Sequence, residues 1–402
     1  MQSSTGRPAS HRYPGGVLAR VTYKTSWRRL PKYEVTLLFL IPVQQPFARM
    51  PHIVYGPAAE ALASLSPAQL QFLKKTPKPE LHAHLNGSIP FHLLQQLAHE
   101  RTTSLPAGGQ NAALPDDNVL AGLEKLQGGV VLDQLHDFFD LFPAIYALTS
   151  NPATLARAAR GVLEHFLKSK DGYPEAAYIE LRSIPRETPE MTRRQYIETV
   201  LDEVERYPPE RAAYIVALDR KMEPRFAAQC VRHAIELKKA GRRVVGVDLC
   251  GDPLAGNMAE FEQCFRAAKE ARLGVTLHIA EVQDCPSADT LQLLSFKPDR
   301  LGHATFLDDE AKKIVHTEEM CIELCLSSNL LCKTVAALDV HHIRYYLGHN
   351  HPIAICTDDI LPFRNSLLGE YALLMAAPPL GLGLEEAEIE KIAQMGMDSR
   401  FR

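Results

Sequence analysis

The chain has 402 residues, of which 46% are hydrophobic and 23% charged, and its formal net charge is −4. This composition is typical of a globular protein with ample length for a large core. The weak charge argues against a nucleic-acid or membrane-surface binder. The first of eight cysteines is Cys230 and no C-x-x-C occurs, so we interpret them as reduced core thiols of a cytoplasmic protein.

The N-terminal region differs from the rest of the chain. Residues 1–33 contain no Asp or Glu, and residues 1–55 show scattered prolines without sustained periodicity. We therefore predict that residues 1–55 form an extension, either disordered or the product of an unreliable 5′ gene boundary. The remaining residues, 56–402, are predicted to form one domain. Because an acid-free basic segment also resembles a transit peptide, organelle targeting is the minor alternative.

From residue 79 onward, short apolar runs alternate with amphipathic segments. Strands are predicted at 79–85, 176–184, 212–218, 244–250, 274–280, 299–305, 321–327 and 352–358. Near-continuous apolar strands separated by helices indicate a parallel sheet covered on both faces. Eight such units fit a (β/α)8 barrel, the TIM-barrel fold. An open doubly wound sheet is the alternative, but the G-x-G-x-x-G turn typical of that fold is absent.

Polar side chains occur at the carboxyl end of every predicted strand. A barrel gathers the carboxyl ends of its strands on one face, where the active sites of this fold lie. Single histidines and carboxylates are usually structural, but here both kinds recur at strand ends. The residues at these ends are His82, His84, Asn86, Glu180, Arg182, Asp219, Asp248, Asp252, His278, Glu281, His303, Ser327, Asp358 and Asp359.

Four of these residues suit a metal site. His82, His84, His278 and Asp358 supply three imidazoles and one carboxylate. Such donors fit one zinc ion per chain with a position left open for water. Alternation along a strand would place His82 and His84 on one face. The alternative is that the H-x-H pair only forms part of a solvated strand face.

Three further residues suit acid–base chemistry beside that site. Glu281 follows His278 by three residues and is placed to shuttle a proton without binding the metal. His303 is placed to orient and deprotonate a metal-bound water. Asp359 either faces the substrate or caps the next helix, and both roles are compatible.

Five motifs resemble the adenosine/AMP deaminase family of metal-dependent amidohydrolases. They are PKPELHAHLNGSI, GVDLCGDP, LHIAEV, RLGHATFL and ICTDDILPF, which occur in this order between about residue 77 and about residue 380. The resemblance implies zinc on the four ligands named above, Glu281 as proton donor to purine N1 and His303 as the residue that steers the attacking hydroxide. It also implies that Asp359 bonds to purine N7 and that the Gly251 backbone donates near N3.

Within this family, SIPRE, LCLSSN and ICTDD most resemble the adenosine deaminase-like branch. The reaction implied is zinc-dependent hydrolysis of N6-methyl-AMP to IMP and methylamine. Deamination of free adenosine is the main alternative, followed by deamination of adenine and by an inactive member that only binds its ligand. A cytidine-type zinc site is not indicated, because His316-Thr-Glu318 is followed by no P-C-x-x-C; we interpret that segment as a solvated helix face.

The residues around the rest of the substrate follow from the same pattern. A 5′-phosphate requires Arg or Lys together with hydroxyl or backbone donors, and Arg186 and Ser183 are the first candidates for that role. Asp219 is placed to hold a ribose hydroxyl, and Asn86 stands where adenosine deaminases proper have Asp. Tyr146 either lines the pocket or packs in the core. The predicted substrate-binding residues are His84, Asn86, Tyr146, Ser183, Ile184, Pro185, Arg186, Asp219, Gly251 and Asp359, with Arg220, Lys221, Lys333 and Thr334 as further phosphate candidates.

The C-terminal region departs from the resemblance. Members of the family continue through further helices that close the barrel, whereas residues 391–402, KIAQMGMDSRFR, look unlike that pattern. This leaves open a barrel that is incomplete at its C-terminus. We predict reduced stability or solubility through an uncovered apolar sheet face. The expected assembly is a monomer that binds a small purine nucleotide or nucleoside.

Overall fold

The computed structural model describes residues 54–104, 142–169 and 171–401, together with positions 119, 121, 122 and 124. The predicted extension therefore lies outside the described residues except for its last two. In the described part of the chain, no helix combines the length and the apolar character of a membrane span. All eight cysteines are free thiols, and seven of them are buried.

Eight parallel strands form a single sheet in chain order, which confirms the (β/α)8 prediction. Each strand is hydrogen-bonded to the next along the chain, from β1–β2 through β7–β8. The strands are β1 (Pro79–Glu80), β2 (Tyr178–Ser183), β3 (Ala212–Asp219), β4 (Val244–Cys250), β5 (Gly274–Ile279), β6 (Arg300–His303), β7 (Cys321–Leu324) and β8 (Ile353–Ile355).

Strands β1 and β8 are shorter than predicted because backbone groups at their ends bond to a side chain. The His82 N–H donates to Glu80 Oε1 at 2.8 Å, and the Thr357 N–H donates to Glu80 Oε2 at 2.9 Å. Beyond β1, the chain returns to β2 only at an isolated bridge between His84 and Arg182. Strand β7 is shorter than predicted for another reason, since a helix begins at Leu326.

Helices surround the sheet. In the described part of the chain they are α1 (Gly56–Ser64), α2 (Pro67–Lys75), α3 (Phe91–Ser104), α4 (Phe142–Leu148), α5 (Pro152–Leu167), α6 (Arg193–Val204), α7 (Pro224–Lys239), α8 (Glu262–Glu270), α9 (Ser287–Ser295), α10 (Asp309–Thr317), α11 (Leu326–Leu331), α12 (Ile343–Gly348), α13 (Ile360–Phe363), α14 (Leu367–Met375) and α15 (Glu386–Asp398). Short 3₁₀ turns occur at Asn86–Ser88, Met258–Phe261 and Leu338–Val340.

Several helices begin where the sequence supplies a capping residue. Ser66 and Thr192 each accept a hydrogen bond from the backbone three residues on and form capping boxes with Gln69 and Gln195. The Asn151 side chain accepts from Thr154 N–H, and a proline follows it at the first helical position. These caps fix the residues at which three of the helices outside the sheet begin.

The C-terminal region covers the sheet, contrary to the predicted uncovered apolar face. Helix α15 buries Ile389, Ile392 and Ala393. At Gly396, an added Cβ would lie 2.8 Å from a Pro79 side-chain carbon, so the helix packs closely against β1. The last buried position of the helix is a glycine, which carries no apolar side chain to mark the buried face in the sequence.

Phe401 closes the amino ends of the strands. Its ring lies against the backbones of Gly246 and Gly274, where an added Cβ would come within 2.6 and 2.4 Å of ring carbons. The Arg300 guanidinium stacks over the ring at 3.7 Å, and the Phe401 N–H donates to Glu180 Oε1 at 2.7 Å. The predicted loss of stability through an open barrel end is therefore not supported by the packing of the described residues.

Phe401→Ala should destabilise the protein measurably. Deleting a buried phenyl ring costs about 3–5 kcal/mol, and we expect about 2 kcal/mol here because Phe401 is only partly buried. The free energy of unfolding in urea tests this, with Phe306→Ala as the control because Phe306 is an exposed ring. Equal unfolding free energies for the two variants would contradict a sealing role for Phe401.

Candidate active site

A cavity opens at the carboxyl ends of the strands and is walled by most of the predicted site residues. Leu85, Phe142, Pro143, Arg182, Lys221, Cys250, Asp252 and Phe363 complete the wall. His82 is fully buried behind it, and neither Pro185 nor Arg186 lines the cavity. The predicted residues that line it are His84, Asn86, Tyr146, Ser183, Ile184, Asp219, Gly251, His278, Glu281, His303, Asp358 and Asp359.

Four histidines and an aspartate meet at the floor of this cavity. Nε2 of His84 lies 3.1 Å from Nε2 of His278 and 3.7 Å from Oδ1 of Asp358. Nε2 of His82 lies 3.9 Å from the same carboxylate oxygen. The His303 ring centroid lies 4.9 Å from that of His82 and 5.3 Å from that of His278. The structure thus brings together the four predicted ligands, with His303 beside them.

The donor set of this cluster fits a metal ion. His82, His278 and His303 each offer a ring nitrogen, and these three atoms lie within 4.8 Å of one another. Nε2 of His82 is buried without a hydrogen-bond partner, which is costly unless a ligand occupies that direction. Burial, followed by neighbouring positive charge, lowers the pKa of His82 and of His303 well below the usual value. These imidazoles therefore remain neutral and keep a lone pair available for a metal.

Two buried carboxylates orient the candidate ligands. Nδ1 of His82 donates to Oε2 of Glu323 at 2.6 Å, so its Nε2 faces the cluster. Nδ1 of His278 donates to Oδ1 of Asp248 at 3.1 Å. A carboxylate on the far nitrogen fixes both the tautomer and the ring orientation of a metal-binding histidine.

Glu323 is the centre of an ionic network inside the barrel. It accepts from Nη2 of Arg182 at 2.7 Å, from Nε of Arg300 at 2.6 Å and from the Thr276 hydroxyl at 2.9 Å. Burial alone would raise the pKa of Glu323, but the two guanidinium groups lower it to about 2. Glu323 therefore stays ionised and can hold the proton on His82 Nδ1.

Glu281 and His303 are neighbours on the cavity wall. Nε2 of His303 lies 3.6 Å from Oε1 of Glu281 and 3.9 Å from Oδ2 of Asp358. Burial raises the pKa of Glu281 to about 7, so this carboxyl group keeps its proton more readily than an exposed one. The left-handed φ of His303, +61°, turns the chain sharply at the end of β6 and directs the ring toward the floor.

Asp359 occupies the N-cap position of α13 but makes no capping hydrogen bond. Its side chain bonds instead to Asp358, and its Oδ1 has no partner although it is buried. Burial, and then the charge of Asp358, raise the pKa of Asp359 well above the usual range. An added Cβ at Gly87 would lie 1.5 Å from Oδ1 of Asp359, so only glycine fits beside this carboxyl group.

The comparisons with known proteins agree with this geometry. The family model described as adenosine deaminase matches residues 77–402. The chain belongs to the adenosine deaminase family. It is therefore a deaminase, a hydrolytic enzyme, and the resemblance found in the sequence motifs is confirmed.

Relatives of this deaminase match over most of its length. The chain is 30% identical to the N6-mAMP deaminase of Arabidopsis thaliana, over 83% of this chain and 94% of that protein. It is 34% identical to the N6-Methyl-AMP deaminase of Danio rerio, over 78% of this chain and 88% of that protein. A crystal structure of Arabidopsis ADAL complexed with IMP superposes with a TM-score of 0.70 at 30% identity, covering 83% of this chain and 94% of that one.

Some predicted phosphate candidates have other partners in this deaminase. Arg220 is buried and donates from Nη2 to the carbonyl of His278 at 2.8 Å. Arg186 donates from Nη2 to Oγ1 of Thr149 at 2.8 Å, and its guanidinium stacks on the Tyr146 ring at 4.1 Å. Sequence position alone does not reveal these orientations, because a strand-end arginine can face the cavity or the loop behind it.

The remaining phosphate candidates differ in position. Lys221 lines the cavity, with its Nζ 2.9 Å from Oδ2 of Asp252. Thr334 bonds to Asn329, and neither Thr334 nor the exposed Lys333 lines the cavity. Of the four cationic candidates, Lys221 is the one that lines the cavity. Arg186, Arg220 and Lys333 do not line it.

His316 also differs from its predicted solvated face. Its ring is half-buried in the deaminase and bonds to His351 at 3.1 Å and to the Tyr345 hydroxyl at 3.0 Å. Glu318 is exposed, as predicted. His316, but not Glu318, therefore belongs to the packing of α10 against α12.

Sequence reasoning missed the carboxylates that support the site. Glu323 lies inside the apolar run CIELC, within the predicted strand 321–327, and Glu80 precedes the histidine pair. Both are fully buried. A charged residue inside an otherwise apolar strand was the available signal, because a buried charge needs partners of its own.

Gly87→Ala should impair the deaminase strongly. The added methyl group would force the Asp359 carboxyl group from its place, and a displacement of about 1 Å in a catalytic site can cost on the order of 10²-fold in rate. Steady-state kcat/KM measures the loss. Gly348→Ala is the matched control, because nothing lies within 4 Å of its added Cβ. Equal kcat/KM for the two variants would rule out a role for the Asp359 position.

Proposed function

We propose that the protein is a zinc-dependent aminohydrolase that converts N6-methyl-AMP and water to IMP and methylamine. The observation that carries the proposal is the placement of Glu281 and His303 on one cavity wall beside the His82, His278 and Asp358 cluster. Relatives named N6-methyl-AMP deaminase and a solved ADAL complex with IMP support the choice of substrate.

Zinc is the metal proposed for this site. His82, His84, His278 and Asp358 would hold it, since three imidazoles and a carboxylate are donors that zinc accepts readily. When bound, zinc supplies a water activated for attack at neutral pH. The carboxylates of Glu323 and Asp248 keep two of the imidazoles in the tautomer this role needs.

His303 is proposed as the residue that steers and deprotonates the attacking water. It is neutral because burial lowers its pKa, so it can accept a proton. Its buried Nδ1 has no hydrogen-bond partner, and its Nε2 faces both Glu281 and Asp358. This side chain therefore stands between the proposed ligands and the proposed acid.

Glu281 is proposed to donate a proton to purine N1 as C6 is attacked. Its raised pKa, about 7, supports a protonated carboxyl group near neutral pH. Burial, and then the charge of Asp358, also raise the pKa of Asp359, which supports a second carboxyl group that donates, here to the N7 acceptor of the purine. Gly251, on the cavity wall, is proposed to donate its backbone N–H near N3.

The sugar and phosphate are proposed to lie toward the cavity mouth. Asp219 and Asn86 line that wall and are proposed to meet the ribose. Lys221 offers a charge and Ser183 a hydroxyl for the 5′-phosphate. Arg186 is proposed to act on the phosphate end of the cavity indirectly. It donates to the backbone of α4 at Tyr146, and Tyr146 lines the same cavity.

The proposed enzyme is a cytoplasmic monomer. Every residue assigned to its site comes from one chain, so no second copy is needed to complete it. The eight free thiols support a reducing compartment.

Product analysis in heavy-oxygen water tests the proposed reaction. Zinc-loaded protein supplied with N6-methyl-AMP in H₂¹⁸O should release methylamine and IMP that carries the label at C6. Unlabelled IMP would contradict direct attack by water. Absence of both products would contradict the proposed substrate.

A further inference from the structure

The two ends of the sheet meet at a seam that the Glu80 side chain bridges. Glu80, the last residue of β1, is fully buried. One of its carboxylate oxygens accepts the N–H of His82 at 2.8 Å, and the other accepts the N–H of Thr357 at 2.9 Å. Among the described residues, no strand ladder pairs β1 with β8. The carboxylate therefore stands where backbone ladder bonds would otherwise close the barrel.

This bridge lies directly beside two of the proposed metal ligands. His82 itself donates one of the two hydrogen bonds, and Asp358 is the residue after Thr357. His82 follows the first strand of the sheet and Asp358 follows the last. No continuous strand ladder therefore sets the distance between these two ligands. The Glu80 side chain, which accepts from the backbone on both sides, connects them instead.

We infer that Glu80 is a positioning residue that fixes the mutual position of His82 and Asp358 across the β1–β8 seam and thereby sets the affinity of the site for its metal. The inference rests on the proposed zinc site. The two oxygens of the Glu80 carboxyl group accept one N–H each. An amide of the same shape turns an N–H₂ group toward one of them and leaves a buried donor without a partner.

The test is the zinc dissociation constant of folded, metal-stripped protein, measured by competition with a chelating dye. Glu80→Gln should weaken zinc binding by about 10–100-fold, the range seen when outer partners of metal ligands are removed. Glu203→Gln is the control, because Glu203 is also a buried carboxylate but bonds to Arg160 between α5 and α6. A residue that only stabilises the fold would lower the unfolding midpoint and leave zinc affinity unchanged.

Glu80→Asp provides a second variant, because its shorter side chain keeps the charge but cannot reach both N–H groups. Like Glu80→Gln, it should weaken zinc binding. Wild-type affinity in a folded Glu80→Gln or Glu80→Asp protein would overturn the inference while leaving the zinc site intact. Failure of both variants to fold would overturn it as well, since Glu80 would then be needed for folding itself. If the unsubstituted protein bound no zinc, that result would contradict the proposed zinc-dependent function itself, and with it the inference about Glu80.

Discussion

Glu281→Gln should lower the turnover of N6-methyl-AMP by about 10²–10⁴-fold, the usual contribution of a positioned general acid or base. The substitution keeps the shape of the side chain but removes a proton that can be delivered to N1. Zinc content should stay at one ion per chain, because Glu281 is not among the proposed ligands. The measurement is kcat under saturating substrate, together with metal analysis of the same sample.

The pH dependence of the unsubstituted enzyme gives an independent view of Glu281. Burial raises the pKa of this carboxyl group to about 7, and the proposed donor acts in its protonated form. The active form is therefore present below that pKa and is lost as pH rises through it, so kcat/KM should decline on the alkaline side.

The matched control for Glu281→Gln is Glu190→Gln, since Glu190 is an exposed side chain in the loop before α6. That variant should retain full turnover and the alkaline decline. Unchanged turnover in Glu281→Gln, with zinc bound, would show that another group protonates the purine.

Removing the metal should have a comparable effect. Lewis-acid assistance is worth several kcal/mol, and each 1.36 kcal/mol is tenfold in rate, so we expect a loss of about 10³-fold. Dialysis against a zinc chelator followed by assay measures it. Zinc added back to the stripped protein should restore activity.

Asp358→Ala provides the control for metal removal. Loss of one proposed ligand should weaken zinc binding, so the zinc concentration that restores the unsubstituted enzyme should not restore the variant. Full activity of chelator-treated protein that contains no metal would contradict a metal-dependent mechanism.

The barrel could be predicted from the sequence because its strands are apolar runs spaced by helices, and all eight are present in order. The lengths of β1 and β8 could not, since they depend on where Glu80 captures backbone N–H groups. The closure of the amino ends of the strands by Phe401 could not be predicted either. A single aromatic residue has no periodicity, and its role follows only from the glycines and the Arg300 that it meets.

The candidate site could likewise be predicted only in part. The histidines at strand ends could be predicted to converge, because a barrel brings those ends together. The direction of a long side chain could not, and Arg220 illustrates this: predicted near a phosphate, it holds the carbonyl of His278. Glu323 was overlooked because its neighbours in β7 are apolar, although four donors surround it in the barrel interior.

The most direct test of the proposed function is a parallel measurement of kcat/KM for N6-methyl-AMP, AMP, adenosine and adenine with zinc-loaded protein. We predict the highest kcat/KM for N6-methyl-AMP, well above that for adenosine. A preference for adenosine would contradict the nucleotide assignment and make the protein a nucleoside deaminase. Inactivity on all four substrates, with zinc bound, would contradict a catalytic role.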